Sequence, residues 1–142
     1  MNAITFIIDS REKMPYALPQ SEVAKLSVGD YTLKGCEGDM SIERKSFEDL
    51  FRCLTSDQTR FRSQLKRLGK LPYRALLLDT TISAILLGHP MCKLSGEDAL
   101  MRVIALTRQY DIPVYFCDRH GSDVCRLLLC RYWKEQNSVT AG

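Results

Sequence analysis

Long apolar runs are missing from this sequence. The longest, such as residues 75–78 and 84–87, are far too short to cross a bilayer. The chain does not open on a basic segment followed by an apolar stretch and a small-residue cleavage site, so no secretory signal is read. Met1 leads almost directly into strand-like sequence, and nothing is expected to be cut off. Histidine is scarce: only His89 and His120 occur, and neither stands at ligand spacing from a cysteine. The 6 cysteines (36, 53, 92, 117, 125 and 130) include no C-x-x-C pair, which argues against zinc. Without a secretion signal they read as reduced thiols of an intracellular protein, cytoplasmic or nucleoid-associated. Cys125 and Cys130 sit in an apolar helical pattern and read as core. Internal repeats and low-complexity segments are also absent.

What is there describes one ordinary globular domain of 142 residues, 45% hydrophobic and 26% charged. Net charge is only +3, but its distribution is uneven. Residues 44–74 carry 9 basic against 3 acidic side chains, while the rest carries 11 basic against 14 acidic. Such segregation is the pattern of a phosphate-binding footprint. On charge alone, a solvated helix face stays equally open.

Residues 3–8 are β-branched and aromatic and predict a buried first strand. Pro15 and Pro19 argue for a loop after it. Gly29-Asp30 forms a turn into a second strand at Tyr31, and residues 40–45 form a third, making a hairpin. Ser46 is placed to cap a short helix to Leu54, with Asp49 at the capping-box position. Residues 57–68 predict a longer helix, with Phe61, Leu65 and Leu68 on one face and Gly69 as the stop. Its flanks carry two polar stripes, Arg60, Gln64 and Arg67 on one side and Arg62, Lys66 and Lys70 on the other. A buried strand at 74–79, a short helix at 81–87, a helix at 95–110, a strand at 112–117 and a helix at 122–135 follow. The tail from Gln136 is expected to fray. Strands alternating with helices predict an α/β fold, a mixed sheet flanked by helices on both faces. The helices at 95–110 and 122–135 are apolar nearly all round, which fits either burial under their own loops or a homodimer interface.

The chemistry is carried by Glu43-Arg44-Lys45. On a strand, Glu43 and Lys45 face one side and Arg44 the other. Asp30, on the neighbouring strand, can stand beside Glu43, and Asp9 at the end of the first strand can supply a third carboxylate. Carboxylates converging near a lysine suit phosphodiester hydrolysis, because hard oxygen ligands hold Mg²⁺ or Mn²⁺. The metal lowers the pKa of a bound water and the lysine offsets developing charge. A D-x(n)-E-x-K pattern is the signature of nucleases with the restriction-endonuclease-like fold, although a surface strand of alternating charge reads the same.

Three segments occur in order: Ile8-Asp9-Ser10-Arg11-Glu12, Val28-Gly29-Asp30-Tyr31 and Ile42-Glu43-Arg44-Lys45-Ser46-Phe47-Glu48-Asp49. Together they closely resemble the nuclease domain of the XPF-type structure-specific endonucleases, with its D-x-R-E and G-D-x(n)-E-R-K-x-x-x-D elements. Arg60-Phe61-x-x-Gln64 and the apolar strand ending at Asp79 extend the resemblance over roughly residues 3–133. It implies a restriction-endonuclease-like fold in which Asp9, Asp30 and Glu43 bind Mg²⁺, with Mn²⁺ as a substitute, and Lys45 is catalytic. Arg11, Glu12 and Arg44 would line or brace the site, and Asp49 would hold Arg44 or Lys45. Arg60, Gln64 and Arg67 would contact DNA. The resemblance further implies cleavage of branched or forked DNA in repair or recombination, and a homodimer through 95–110 and 122–135. The family's helix-hairpin-helix and helicase domains have no counterpart here, so the whole chain is expected to be a single nuclease domain, and a separate protein is a possible DNA-targeting partner. The alternatives are a non-catalytic DNA-binding scaffold and a junction-resolving or restriction-type nuclease.

Overall fold

A computed structural model describes the backbone of residues 3–141 and the side chains of residues 3–138. The first apolar run forms strand β1 (Phe6–Asp9), buried along its whole length. The loop expected around Pro15 and Pro19 leads into an unexpected strand, β2 (Ser21–Ala24), which pairs parallel to β1 at the sheet edge. All of its residues are exposed. An edge strand can be held by hydrogen bonds along one side, so it shows no apolar alternation in the sequence.

The predicted hairpin is present as β3 (Tyr31–Leu33) and β4 (Met40–Ser46), antiparallel with Tyr31 opposite Ile42. Strands β5 (Tyr73–Asp79) and β6 (Val114–Phe116) continue the sheet in parallel. The order β2-β1-β3-β4-β5-β6 is a mixed sheet.

The helices are α1 (Phe47–Leu54), α2 (Gln58–Leu68), α3 (Ile82–Leu87), α4 (Gly96–Gln109) and α5 (Gly121–Ala141). Their starts follow the expected caps. Ser46 Oγ accepts from the Asp49 N–H at 3.1 Å and Ser95 Oγ from the Asp98 N–H at 3.1 Å. Each cap stabilises its helix by about 1 kcal/mol. Gly69 ends α2 with an ordinary right-handed φ of −63°. Its lack of a side chain matters because a Cβ would lie 2.7 Å from the Tyr110 carbonyl oxygen. The tail from Gln136 belongs to α5, whose backbone is helical to Ala141. Gln136 Nε2 donates to Asp39 Oδ2 at 2.9 Å, tying that turn to the start of β4. Gly142 lies outside the described residues.

Helices cover both faces of the sheet, as expected. On one face, Phe61 and Leu65 of α2, Val103 of α4 and neighbours from α1 and α3 pack over Leu76 and Leu78. On the other, Cys125, Leu129 and Tyr132 of α5 pack over Met40, Ile42, Ala75 and Leu77. Cys130, read as core, is only partly buried at the margin of this second cluster. Side chains alternate along β4, so Ile42 and Arg44 face α5 while Glu43 and Lys45 face α1 and α2. No helix among the described residues is long and apolar enough to cross a membrane.

Candidate active site

The site begins at Gly29, whose φ is +72°. A Cβ there would overlap the Ser41 hydroxyl, which donates to the Val28 carbonyl at 2.8 Å. Glycine therefore permits both the left-handed turn and the close approach to β4. The next residue, Asp30, is clamped between strands. Its N–H donates to the Ile42 carbonyl at 2.8 Å, its carbonyl accepts from the Asp9 N–H at 2.8 Å, and its Oδ2 accepts from the Arg44 N–H at 2.8 Å. This brings its carboxyl against that of Glu43, which is buried at 5% exposure. Burial first, and then the Glu43 charge, push Asp30 up from the ordinary carboxylate range to about 8. Two buried carboxylates in contact strongly resist ionising together.

Lys45 Nζ lies 3.3 Å from Glu43 Oε2 and 5.6 Å from the centre of the Phe61 ring. Burial favours its neutral amine, but Glu43, then Cys53 and Asp30, outweigh this and raise its pKa. The group is a fixed ammonium beside the carboxylate pair.

Asp9 is arranged differently. Its Oδ2 accepts from Arg11 Nε at 2.8 Å, and its Oδ1 accepts from the Leu26 N–H at 2.8 Å. Burial alone would raise its pKa, but Arg11 and Leu26 hold it below the usual range. Arg11 also donates through Nη2 to the Leu26 carbonyl at 2.7 Å, so the pair braces the loop beside the site. Among the described residues, no group of three His, Cys, Asp or Glu side chains is gathered as a metal centre. Asp30 and Glu43 are together, and Asp9 is engaged by Arg11.

Arg44 points to the α5 face. Its Nε donates to Asp79 Oδ2 at 2.7 Å, its Nη1 to the Met14 carbonyl at 2.6 Å and to the Tyr31 hydroxyl at 3.1 Å. Its guanidinium carbon stacks 3.9 Å from the centre of the Tyr16 ring. Asp79 also accepts from the Tyr16 hydroxyl at 2.6 Å. Glu12 approaches Arg44 Nη1 at 3.6 Å, and burial followed by the Asp30 charge raises its carboxyl pKa. Asp49 departs from expectation. It holds neither Arg44 nor Lys45 but Arg52, at 3.0 Å, because i and i+3 are neighbours on a helix.

All 11 residues singled out in the sequence border one cleft of about 210 Å³, including Arg60, Gln64 and Arg67 on the α2 wall. It merges with an adjoining trough of about 450 Å³ that shares Lys45, Asp49 and Arg60 and adds Arg52 and Cys53. Among the described residues, the only buried side-chain oxygens or nitrogens without a hydrogen-bond partner are Glu12 Oε1 and Gln64 Oε1, and both residues border this cleft. Sequence reasoning gave no role to Tyr16, Tyr31 and Asp79 as the cradle of Arg44, or to Cys53 and Phe61 beside Lys45. The acidic end of the apolar strand at Asp79 was the one available signal.

Residues 8–126 match the ERCC4 domain family. The chain belongs to that family, that of the XPF-type nuclease domains. As an ERCC4 domain it carries the expected fold, restriction-endonuclease-like with a mixed sheet between helical layers. The solved XPF from Aeropyrum pernix superposes with a TM-score of 0.69 at 17% identity, covering 96% of this chain and 69% of that one. XPF from the same organism in complex with DNA gives 0.67 at 18% identity, with 94% and 66% covered. This ERCC4 domain thus spans about two thirds of those chains. No curated protein sequence matches it.

Proposed function

We propose that this domain is a Mg²⁺-dependent endonuclease that hydrolyses phosphodiester bonds at branched or forked DNA, in repair or recombination, with Mn²⁺ as a substitute. The observation that carries the reading is the Asp30–Glu43 pair, buried beside the Lys45 ammonium in a cleft with two unsatisfied acceptors. The donor set fits a magnesium ion. Mg²⁺ is commonly held by one or two carboxylates and keeps several waters, whose O–H groups suit acceptors such as Glu12 Oε1 and Gln64 Oε1. A cation also relieves the pressure of one carboxylate on the other. Asp30 and Glu43 would hold it, and Asp9 would join if Arg11 turned to DNA. Bound there, the ion would offset phosphate charge and lower the pKa of water.

The chain's own residues supply the rest. Arg60 and Arg67 stand on the cleft wall, where they can pair with phosphates on either side of the scissile bond without reading sequence. Lys45, held by Glu43 and Phe61, places a positive charge where the attacked phosphate gains negative charge. In the reaction a water oxygen bonds to phosphorus, the bond to one ester oxygen breaks, and that oxygen leaves with a proton. Arg44 acts from behind the sheet by holding β4 to β5 and to the Tyr16 loop.

The domain acts as a homodimer in this reading. Met101 and Ile104 of α4, Tyr115 of β6 and Leu127 of α5 remain 60%, 44%, 40% and 57% exposed, apolar side chains with no cover in one copy. A separate protein that delivers it to DNA belongs to the same proposal.

The engagement of Asp9 by Arg11 favours a second reading, a non-catalytic DNA-binding scaffold. One experiment separates them: end-labelled 3′-flap, fork, four-way junction and linear duplex incubated with Mg²⁺, Mn²⁺ or EDTA, beside Asp30→Asn. Metal-dependent cutting of the branched substrates that disappears in the variant is expected. Binding without cutting would put the scaffold ahead, and sequence-specific cutting of linear duplex would indicate a restriction-type enzyme.

A further inference from the structure

Helix α2 contains four cations and no acidic residue, and they do not all face the cleft. Arg60, Gln64 and Arg67 border it. Arg62 and Lys66 lie roughly half a helical turn away by the 100° step between residues. That flank opens on a separate groove of about 280 Å³ between the end of α1, α2 and α4. Its floor is Cys53, Leu54 and Leu106, and its rims carry Arg62 and Gln58 on one side and Arg102 and Gln109 on the other.

The groove's charge is uncommitted. Arg62, Lys66 and Arg102 take part in none of the ion pairs among the described residues. Arg102 Nη1 donates to the Leu54 carbonyl at 2.6 Å, which fixes its direction and leaves its other N–H groups available. Arg62 and Lys66 are exposed. Salt bridges engage most of the other arginines, those at 11, 44, 52, 74, 126 and 131 included. Arg62 and Arg102 face each other across the groove, and Lys66 stands on the same flank of α2 one turn beyond Arg62, so this side of the helix carries a positive field, which attracts polyanions.

Resting on the proposed function, we infer that this groove is a second DNA-backbone site, which holds the phosphates of the second arm of a branched substrate while the first lies in the catalytic cleft. The flanks of α2 face in opposite directions, and a rigid duplex seated in the cleft cannot also occupy the groove behind the helix. A branched molecule has two arms diverging from one point, and α2 stands between them as the divider. The selectivity for branches then arises within the catalytic domain, through phosphate contacts on both sides of one helix.

The test compares binding of a fork and of a linear duplex of equal length by the parent and by Arg62→Gln/Lys66→Gln, over a salt series. Both residues are exposed, so the fold should be retained, as a thermal melt can check. The expected result is a loss of fork affinity of roughly tenfold, with the slope of log K against log salt shallower by about 2. Linear duplex affinity should stay within about twofold, since it uses the cleft wall. A fork preference unchanged in the variant overturns this inference alone. So does an equal loss on both substrates, which would mean one continuous surface. A parent that does not distinguish fork from duplex overturns the branched-DNA reading and this inference with it.

Discussion

Replacing Arg44 by methionine tests whether this arginine braces the sheet rather than taking part in chemistry. The side chain is 22% exposed and Asp79 17%, so the pair is largely withdrawn from water. Methionine fills similar volume but leaves the Asp79 carboxylate, the Met14 carbonyl and the Tyr31 hydroxyl without their donor. Stranding one partner of a buried pair costs about 3–5 kcal/mol. The residual exposure places Arg44→Met at the lower end, about 3 kcal/mol. For a chain of this size that is about 10 °C in Tm, read by circular dichroism at 222 nm. Asp79→Asn removes the charge yet can still accept from the Tyr16 hydroxyl. In the double variant the stranded charge is gone, and the cycle should show a coupling of about 2 kcal/mol. Arg44→Lys keeps the charge but cannot span Asp79, Met14 and Tyr31, and should lose about 1–2 kcal/mol. A methionine variant melting within about 2 °C of the parent, or strict additivity in the cycle, would refute the reasoning.

Lys45→Ala should reduce cleavage at least about 100-fold while duplex affinity changes little, measured by single-turnover kinetics and filter binding. Unimpaired cutting would remove Lys45 from the mechanism. Asp30→Asn keeps an acceptor for the Arg44 N–H and should fold, but Mg²⁺ should no longer raise its Tm as it does that of the parent. An equal metal-induced rise in both proteins would place the ion elsewhere. Gly29→Ala meets both a positive φ and the Ser41 hydroxyl, and should cost about 2 kcal/mol or more by urea titration. Met101→Glu/Ile104→Glu should convert a dimer to monomer in sedimentation velocity without lowering Tm in the monomer. A dimer that survives would move the interface off α4.

Local chemistry made much of this protein legible. Caps at Ser46 and Ser95 act through residues three places on, the strand at 73–79 has a continuously apolar and buried centre at 75–78, and period-2 alternation separates Glu43 and Lys45 from Arg44. The ordered motifs and the polar stripe of the helix at 57–68 together singled out 11 residues, and all of them border one cleft. Where the sequence reading failed, long-range contacts decide. β2 exists because Ser21 to Ala24 align with Phe6 to Asp9, and an exposed edge strand has no pattern of its own. Gln136 of α5 meets Asp39, 97 residues earlier in the chain, a contact no local pattern announces. Asp79 and Tyr16 meet Arg44 only when β4 and β5 are aligned and the loop after β1 folds over them. The engagement of Asp9 by Arg11, and of Asp49 by Arg52, was equally hidden. A sequence states which charges are present, but partners are chosen by distance and by the burial that makes an unpaired charge costly.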